Sequence, residues 1–249
     1  HQKQYNFLLL FFAPLYFHRK NLFRKADAII AVSESYLDLA KKIVPNLSME
    51  YMKSVYYGVN LAKFRSVEER SSVLPLPLQN IIRNKGELLA IYASSLGSNY
   101  DLKTLLEAVK LIEKRKINLK VLIAGIGPLK DYIISFIKEN NLKQVIYIGN
   151  PDSSTMSSIF SYCDIGLSMY VKGSTVAMPI KAFNYFCAGL PIVNSLKGDL
   201  SDILLNHNAG LNFEAENVRS LVEVLQVLVS SPSKLETMAK NSYNLASLF

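Results

Sequence analysis

The chain has 249 residues, of which 50% are hydrophobic and 19% charged, and this balance excludes an intrinsically disordered polypeptide. Its length allows one large or two small domains with a sizeable core, and the formal net charge of +8 suits anionic lipid or a phosphorylated ligand. Nucleic acid is disfavoured as a partner because the lysines are scattered and the sequence has neither an arginine-rich arm nor zinc-type spacing.

The most apolar segment lies at residues 7–17 and is followed by HRK at residues 18–20 and RK at residues 24–25. With 11 residues and an internal proline, it is too short for a transmembrane helix, which needs about 20 residues. An apolar stretch beside cations can lie on an anionic bilayer surface, and a core helix would explain the same pattern. Both interpretations stay open at this point.

Residues 26–33, ADAIIAVS, have the pattern of a buried strand that ends in a helix cap at Ser33 or Glu34. An amphipathic helix over residues 36–43 and a short strand over residues 52–57 follow. These elements predict part of an α/β domain.

From residue 87 onward, apolar strands alternate regularly with amphipathic helices. Strands are predicted at residues 88–93, 120–124, 145–148, 165–169, 191–193 and 210–213, and helices at residues 102–113, 129–138, 155–162, 179–188 and 218–229. Continuous apolar strands separated by such helices indicate a parallel sheet that is covered on both faces. The fold class predicted is therefore α/β, with a doubly wound, Rossmann-like domain.

The domain organisation follows from where this alternation starts. Residues 1–64 are predicted to be the tail of an incomplete N-terminal α/β domain, and residues 65–86, which contain two prolines and lose periodicity, a connector. Residues 87–232 form the doubly wound domain, and residues 233–249 a C-terminal helix, complete or truncated.

The segment PIKAFNYFCAGLPIV at residues 179–193 predicts a short helix followed by a strand, because proline opens it and glycine follows its end. A helix N-terminus at the carboxyl edge of such a sheet attracts phosphate. Lys181 falls in the first turn, where a cation opposes the helix dipole unless an anion neutralises it. These features favour a phosphate site at Lys181.

Two glycine-containing loops lie at residues 94–98 and 125–129, and both follow predicted strands. Glycine lets the backbone approach a diphosphate closely, and a tight strand-to-helix turn explains the same residues. Ser174 and Thr175, in a later loop at the same edge, could bind phosphate or sugar through their hydroxyl groups or could simply make the loop polar.

The pattern P-x-K-x-F-x-Y-x-x-A-G-x-P of residues 179–191 resembles the donor-site helix of GT-B retaining glycosyltransferases of the large group 4 family. Further segments resemble the family in the same order along the chain: ADAIIAVS at 26–33, GVN at 58–60 with Phe64, LGSNYDL at 96–102, AGIGPL at 124–129, YIG at 147–149 and CDIGL at 163–167. Each match is weak alone, and together they identify the chain as similar to this family.

This resemblance implies a GT-B fold in which residues 1–64 belong to the acceptor-side domain and residues 87–232 bind the nucleotide sugar. It implies a retaining hexosyltransferase that uses neither a metal nor another cofactor and moves sugar from a nucleoside-diphosphate sugar to a lipid-linked or polysaccharide acceptor. We expect a cytoplasmic protein of cell-envelope polysaccharide biosynthesis, peripheral at the inner face of the membrane. With most of the acceptor half lacking, the fragment is expected to be inactive alone.

The donor-binding residues implied by the resemblance and the loops are Ser95, Gly97, Lys103, Gly125, Gly127, Ser174, Thr175, Lys181 and Asn184; no catalytic residue is assigned. Val176 and Asn184 stand where the family has two glutamates. Ser95 and Tyr100 stand where many members have the Arg and Lys that clamp the diphosphate, and Lys103 is a nearby substitute. The alternatives are a noncatalytic or fragmentary sugar-nucleotide-binding module and a GT-B sugar-nucleotide epimerase.

Overall fold

The structure, a computed structural model, describes residues 14–15, 17–59, 64 and 86–249. Most of the apolar segment at residues 7–17, and the predicted connector at 65–86 except for Gly86, lie outside the described residues. The chain divides into two compact units, His1–Tyr56 and Tyr57–Phe249, each described by itself below.

The first unit is a small α/β element. Residues 17–25 are helical, and they are followed by β1 (Ile29–Ala31), α1 (Glu34–Ile43), a 3-10 turn (Met49–Tyr51) and β2 (Met52–Ser54). The two strands pair in parallel, with Ile29 opposite Met52. The predicted cap is confirmed at Ser33, whose side-chain oxygen accepts a hydrogen bond from the N–H of Tyr36 at 3.2 Å.

The second unit contains a six-stranded parallel sheet. Its strands are β3 (Leu88–Ala93), β4 (Leu119–Ala124), β5 (Val145–Tyr147), β6 (Ile165–Ser168), β7 (Ile192–Asn194) and β8 (Gly210–Asn212). The spatial order is β5-β4-β3-β6-β7-β8. The strands of the sheet centre are buried on both faces, as their continuous apolar sequences predict. The doubly wound parallel sheet predicted from the sequence is confirmed.

The helices that cover this sheet are α2 (Leu102–Lys114), α3 (Lys130–Glu139), α4 (Ser153–Tyr162), α5 (Ile180–Cys187), α6 (Asp199–Asn206), α7 (Val218–Ser230) and α8 (Pro232–Leu245). Helix α5 begins directly after Pro179, as predicted, and Lys181 lies in its first turn. Among the described residues, no helix combines the length and the hydropathy needed to cross a membrane.

The order of strands reverses direction between β3 and β6, because the chain first winds outward through β4 and β5 and then returns to the other side of β3. The loops after β3 and β6 therefore leave the sheet in opposite directions and open a crevice at its carboxyl edge. Such a switch point is where open α/β sheets bind their ligands.

Candidate functional site

A cavity of about 260 Å³ lies at this carboxyl edge. It lies between the β3–α2 loop (residues 94–101), the β4–α3 loop (residues 125–129) and the first turn of α5. Its lining includes Ser94, Ser95, Gly125, Ile126, Asn150 and Lys181. The structure thus brings three of the predicted donor-binding residues, Ser95, Gly125 and Lys181, into one cavity, although they are far apart in sequence.

The two loops that line the cavity interlock through their backbones. The N–H of Leu96 donates to the carbonyl of Ile126 at 2.9 Å, and the N–H of Leu129 donates to the carbonyl of Leu96 at 2.9 Å. A β-carbon added at Gly127 would lie 2.5 Å from the carbonyl oxygen of Leu96, so this approach requires glycine. Gly127 therefore has a packing role, and contact between the loop glycines and a phosphate stays a prediction.

Lys181 brings a positive charge into the cavity. It is half-buried, and burial lowers the pKa of its ammonium group from the ordinary value of 10.5. Its Nζ lies 5.8 Å from the centre of the Phe160 ring, a weak cation–π contact. Because a desolvated ammonium gains free energy from an anionic partner, this position is suited to a phosphate group.

The remaining predicted site residues lie outside this cavity's lining. Gly97 is in the β3–α2 loop with open space around it, and Gly127 packs on Leu96. Lys103 is exposed in the first turn of α2, Thr175 is exposed in its loop, and Asn184 is half-buried on α5. The structure does not assign any of them to a ligand, and their roles stay predictions.

Ser174 lines a second cavity, of about 600 Å³, at the carboxyl ends of β6, β7 and β8. Beneath it the last residues of the three strands are polar and in register, Ser168 beside Asn194 and Asn194 beside Asn212. The hydroxyl of Ser168 donates to Asn194 Oδ1 at 2.9 Å, and Asn194 Nδ2 donates to Asn212 Oδ1 at 2.8 Å. This row of side chains fixes the strand ends below the second cavity.

Tyr100, which stands where many family members have a cationic residue, takes a packing role. Its ring lies 6.0 Å from the ring of Tyr92 and 5.0 Å from the ring of Tyr170. An aromatic cluster thus occupies the base of the β3–α2 loop. The cation of this cavity comes from Lys181 on the opposite side of the crevice.

Sequence reasoning missed Asn150 and Met156 as lining residues of the 260 Å³ cavity. Asn150 follows Gly149 in the loop after β5, at the same sheet edge as the two glycine loops. The rule that ligand residues follow the carboxyl ends of parallel strands would have selected it. Met156 lies on α4, and no sequence signal distinguishes it from a core methionine.

The sheet order and the crevice at the switch point define a doubly wound, Rossmann-like α/β protein. Residues 78–245, more than half of the chain, match the family model described as "Glycosyl transferases group 1". The chain belongs to this family.

Known proteins support this assignment from sequence and from structure. Over 157 residues the chain is 23% identical to the chitobiosyldiphosphodolichol beta-mannosyltransferase of Debaryomyces hansenii, covering 60% of this chain and 33% of that protein. The chain spans less than half of the length of the curated relatives it matches.

Two solved structures show the fold. Anabaena HepE in complex with UDP has a TM-score of 0.73 at 15% identity, over 90% of this chain and 60% of that one. The C-terminal domain of a glycosyl transferase group 1 family protein (LpcC) from Francisella tularensis has a TM-score of 0.61 at 18% identity, over 77% of this chain and 97% of that one. The GT-B fold predicted from the sequence motifs is confirmed.

Proposed function

We propose that the second unit binds the donor of a retaining, group 4 type hexosyltransferase, which transfers sugar from a nucleoside-diphosphate sugar to a lipid-linked or polysaccharide acceptor. The observation that carries the proposal is the half-buried Lys181 ammonium, which lines a cavity with Ser95 and Gly125 at the switch point of the sheet. Family membership supports it, and the structural neighbour HepE is described in complex with UDP.

In this proposal, the chain's own groups bind the donor and stabilise the leaving diphosphate. Negative charge grows on the diphosphate as the glycosidic bond breaks, and a preorganised cation in a partly desolvated cavity stabilises that charge more than bulk water does. Lys181 supplies the cation, and the β3–α2 and β4–α3 loops supply the shape. The nucleotide sugar is a substrate, and the proposal includes neither a cofactor nor a metal.

A second candidate is a noncatalytic sugar-nucleotide-binding module. It is favoured by Val176 and Asn184, which stand where the family has two glutamates. An amide can hydrogen-bond a ribose hydroxyl, but it lacks the charge that strengthens a carboxylate's bonds.

A GT-B epimerase remains a third candidate. Incubating the full-length gene product with UDP- and GDP-sugars and an acceptor, followed by product analysis, separates the three: a glycosylated acceptor, an epimerised donor or neither.

Replacing Lys181 by Ala is expected to weaken binding of UDP or GDP by about 1–3 kcal/mol, the scale of a hydrogen bond to a charged group. The free energy of unfolding should change little. The pKa of Lys181 is lowered by burial, which means that the charged side chain does not stabilise the fold by being buried. Calorimetric titration at pH 7, beside urea unfolding of both proteins, measures the two quantities.

The pH dependence of nucleotide affinity provides a control for Lys181→Ala. The lowered pKa of Lys181 means that the folded protein without nucleotide loses this proton below pH 10.5, whereas a bound phosphate favours the charged form. Affinity of the unaltered chain should therefore fall as the pH rises toward that value, and Lys181→Ala should show less of this fall. Equal affinities in the two proteins at pH 7 would remove Lys181 from the site.

We further propose that the protein is cytoplasmic and peripheral at the inner face of the membrane, where lipid-linked acceptors reside. The support is the basic helical stretch at residues 17–25, which follows the apolar segment and contains Arg19, Lys20, Arg24 and Lys25. Each such cation near an anionic surface contributes about 1 kcal/mol. The full-length protein should co-float with anionic liposomes at low salt and less so at high salt. If the protein does not co-float at either salt concentration, the apolar segment belongs to a protein core and the membrane proposal is wrong.

A further inference from the structure

Tyrosine hydroxyl groups hold the backbones of both loops that line the 260 Å³ cavity. Tyr92, on β3, donates its hydroxyl proton to the carbonyl of Ser95 at 2.6 Å. Tyr147, at the end of β5, donates to the carbonyl of Gly125 at 2.9 Å. One lining residue of each loop is therefore fixed by a tyrosine that itself lies outside the cavity's lining.

Tyr185 connects these loops to the helix that carries the cation. It lies on α5 one turn after Lys181, and its hydroxyl accepts a hydrogen bond from the N–H of Ala93 at 3.2 Å. The carbonyl oxygens of Ile91 and Leu167 are also within hydrogen-bond distance of this hydroxyl, at 3.2 and 3.3 Å. The hydroxyl thus bridges β3 and β6, the two strands on either side of the switch point.

The sheet is built to admit this ring. A β-carbon added at Gly166, on β6, would lie 2.6 Å from the Tyr185 ring, so glycine makes the space that the ring fills. The Tyr185 ring also packs nearly at right angles to the Phe160 ring, with ring centres 5.4 Å apart. A large side chain that is locked on several sides holds its hydroxyl in one place.

The hydroxyl groups of Tyr92 and Tyr185 stay protonated and therefore remain donors. Burial raises the pKa of Tyr92 and of Tyr185 well above the ordinary value of 10.0. Both side chains are almost fully buried, at 1% exposure. Tyr92 and Tyr185 therefore keep their hydroxyl protons over the pH range in which Lys181 is charged and can bind an anion.

Holding a carbonyl also fixes the N–H of the same peptide, because the peptide unit is planar and trans. The carbonyl of Gly125 shares its peptide with the N–H of Ile126, a lining residue of the cavity. The carbonyl of Ser95 shares its peptide with the N–H of Leu96, which donates to Ile126 in the other loop. The bonds from Tyr92 and Tyr147 therefore set the orientation of peptides in both loops.

We infer that Tyr92, Tyr147 and Tyr185 are positioning residues that preorganise the two loops and Lys181 for the diphosphate of the donor nucleotide. This inference rests on the proposed function. Preorganised groups bind more tightly because the cost of ordering them is met on folding rather than on binding.

The test uses Tyr92→Phe, Tyr147→Phe and Tyr185→Phe in the 249-residue chain, each of which removes one hydroxyl and keeps the ring. The matched control is Ser242→Ala on α8, which removes a buried hydroxyl that donates to the carbonyl of Leu190 at 2.7 Å. Calorimetric titration with UDP and with GDP measures affinity, and urea unfolding measures stability. We expect each tyrosine variant to bind the preferred nucleotide about three- to tenfold more weakly, the scale of one hydrogen bond.

The control variant should lose stability and keep the affinity of the unaltered chain. If the tyrosine variants behave as Ser242→Ala does, with lower stability and unchanged affinity, the hydroxyls are merely structural and the inference is overturned. Should Tyr185→Phe fail to fold, Tyr92→Phe and Tyr147→Phe still decide. If the unaltered chain binds neither nucleotide, the proposed function is overturned, and the inference falls with it.

Discussion

Replacing Lys120 by Met is expected to lower the free energy of unfolding by about 3–5 kcal/mol, the usual cost of breaking a buried ion pair. Lys120 Nζ lies 3.2 Å from Glu87 Oε2, with the two side chains only 11% and 1% exposed. The pair joins β4 to the residue before β3, at the amino edge of the sheet. The variant keeps the hydrocarbon stem and leaves the Glu87 carboxylate without this cation, and urea unfolding at pH 7 measures the loss.

Two comparisons separate the lost ion pair from other effects of the substitution. Adding Glu87→Leu to Lys120→Met should recover most of the stability, because an apolar pair of similar volume often replaces a buried ion pair without loss. Lys240→Met breaks the pair with Glu236 on the exposed face of α8 and should change stability little. If Lys120→Met were as mild as Lys240→Met, the buried pair would contribute no more than a surface one.

The fold could be predicted from the sequence because its signals are local. The run of apolar residues in β3 predicts a strand buried on both faces, and the structure has the same limits, Leu88–Ala93. The proline and glycine around α5 predict its ends to within a residue or two. Where local signals are weak, the prediction was incomplete: the helix Asp199–Asn206 is not among the helices predicted from the sequence.

The candidate site could be predicted only in part, because it depends on which strands become neighbours. The loops after β3 and β4 and the start of α5 were found from glycines and a lysine, and they do line one cavity. Lys103 was selected because it is close in sequence, but the exposed face of α2 carries its side chain. Position within a helical turn, rather than distance along the chain, decides where such a side chain points.

The tyrosines that hold the loops are a clearer case of what sequence alone does not give. Tyr92 and Tyr185 are 93 positions apart, and both fit the apolar patterns of a strand and a helix. Their hydroxyl bonds exist because β6 lies beside β3 and because Gly166 leaves room for a ring. The periodicity of the sequence does not predict that β3 and β6 are neighbours. From the sequence alone, a tyrosine in these apolar patterns is therefore predicted only to be a core residue.

Replacing Gly125 by Ala is expected to abolish detectable binding of UDP or GDP and to lower the free energy of unfolding by about 2–4 kcal/mol, from backbone strain together with overpacking. Gly125 has φ +141°, which residues with a side chain rarely adopt, and an added β-carbon would overlap the carbonyl oxygen of Ser94. Because this oxygen belongs to the backbone, the β3–α2 and β4–α3 loops must move apart. Calorimetric titration and urea unfolding measure the two effects.

Gly97→Ala, in the facing loop, is the matched control for Gly125→Ala. Its β-carbon would meet nothing within 4 Å, and Gly97 has no positive φ, so stability should stay within about 0.5 kcal/mol. Nucleotide binding should still weaken if Gly97 serves the close approach of a diphosphate, because the methyl group would project into open space that the ligand requires. Loss of stability in Gly125→Ala with full retention of nucleotide affinity would contradict the placement of the donor between these loops. Unchanged affinity in Gly97→Ala alone would leave that placement intact and remove Gly97 from the site.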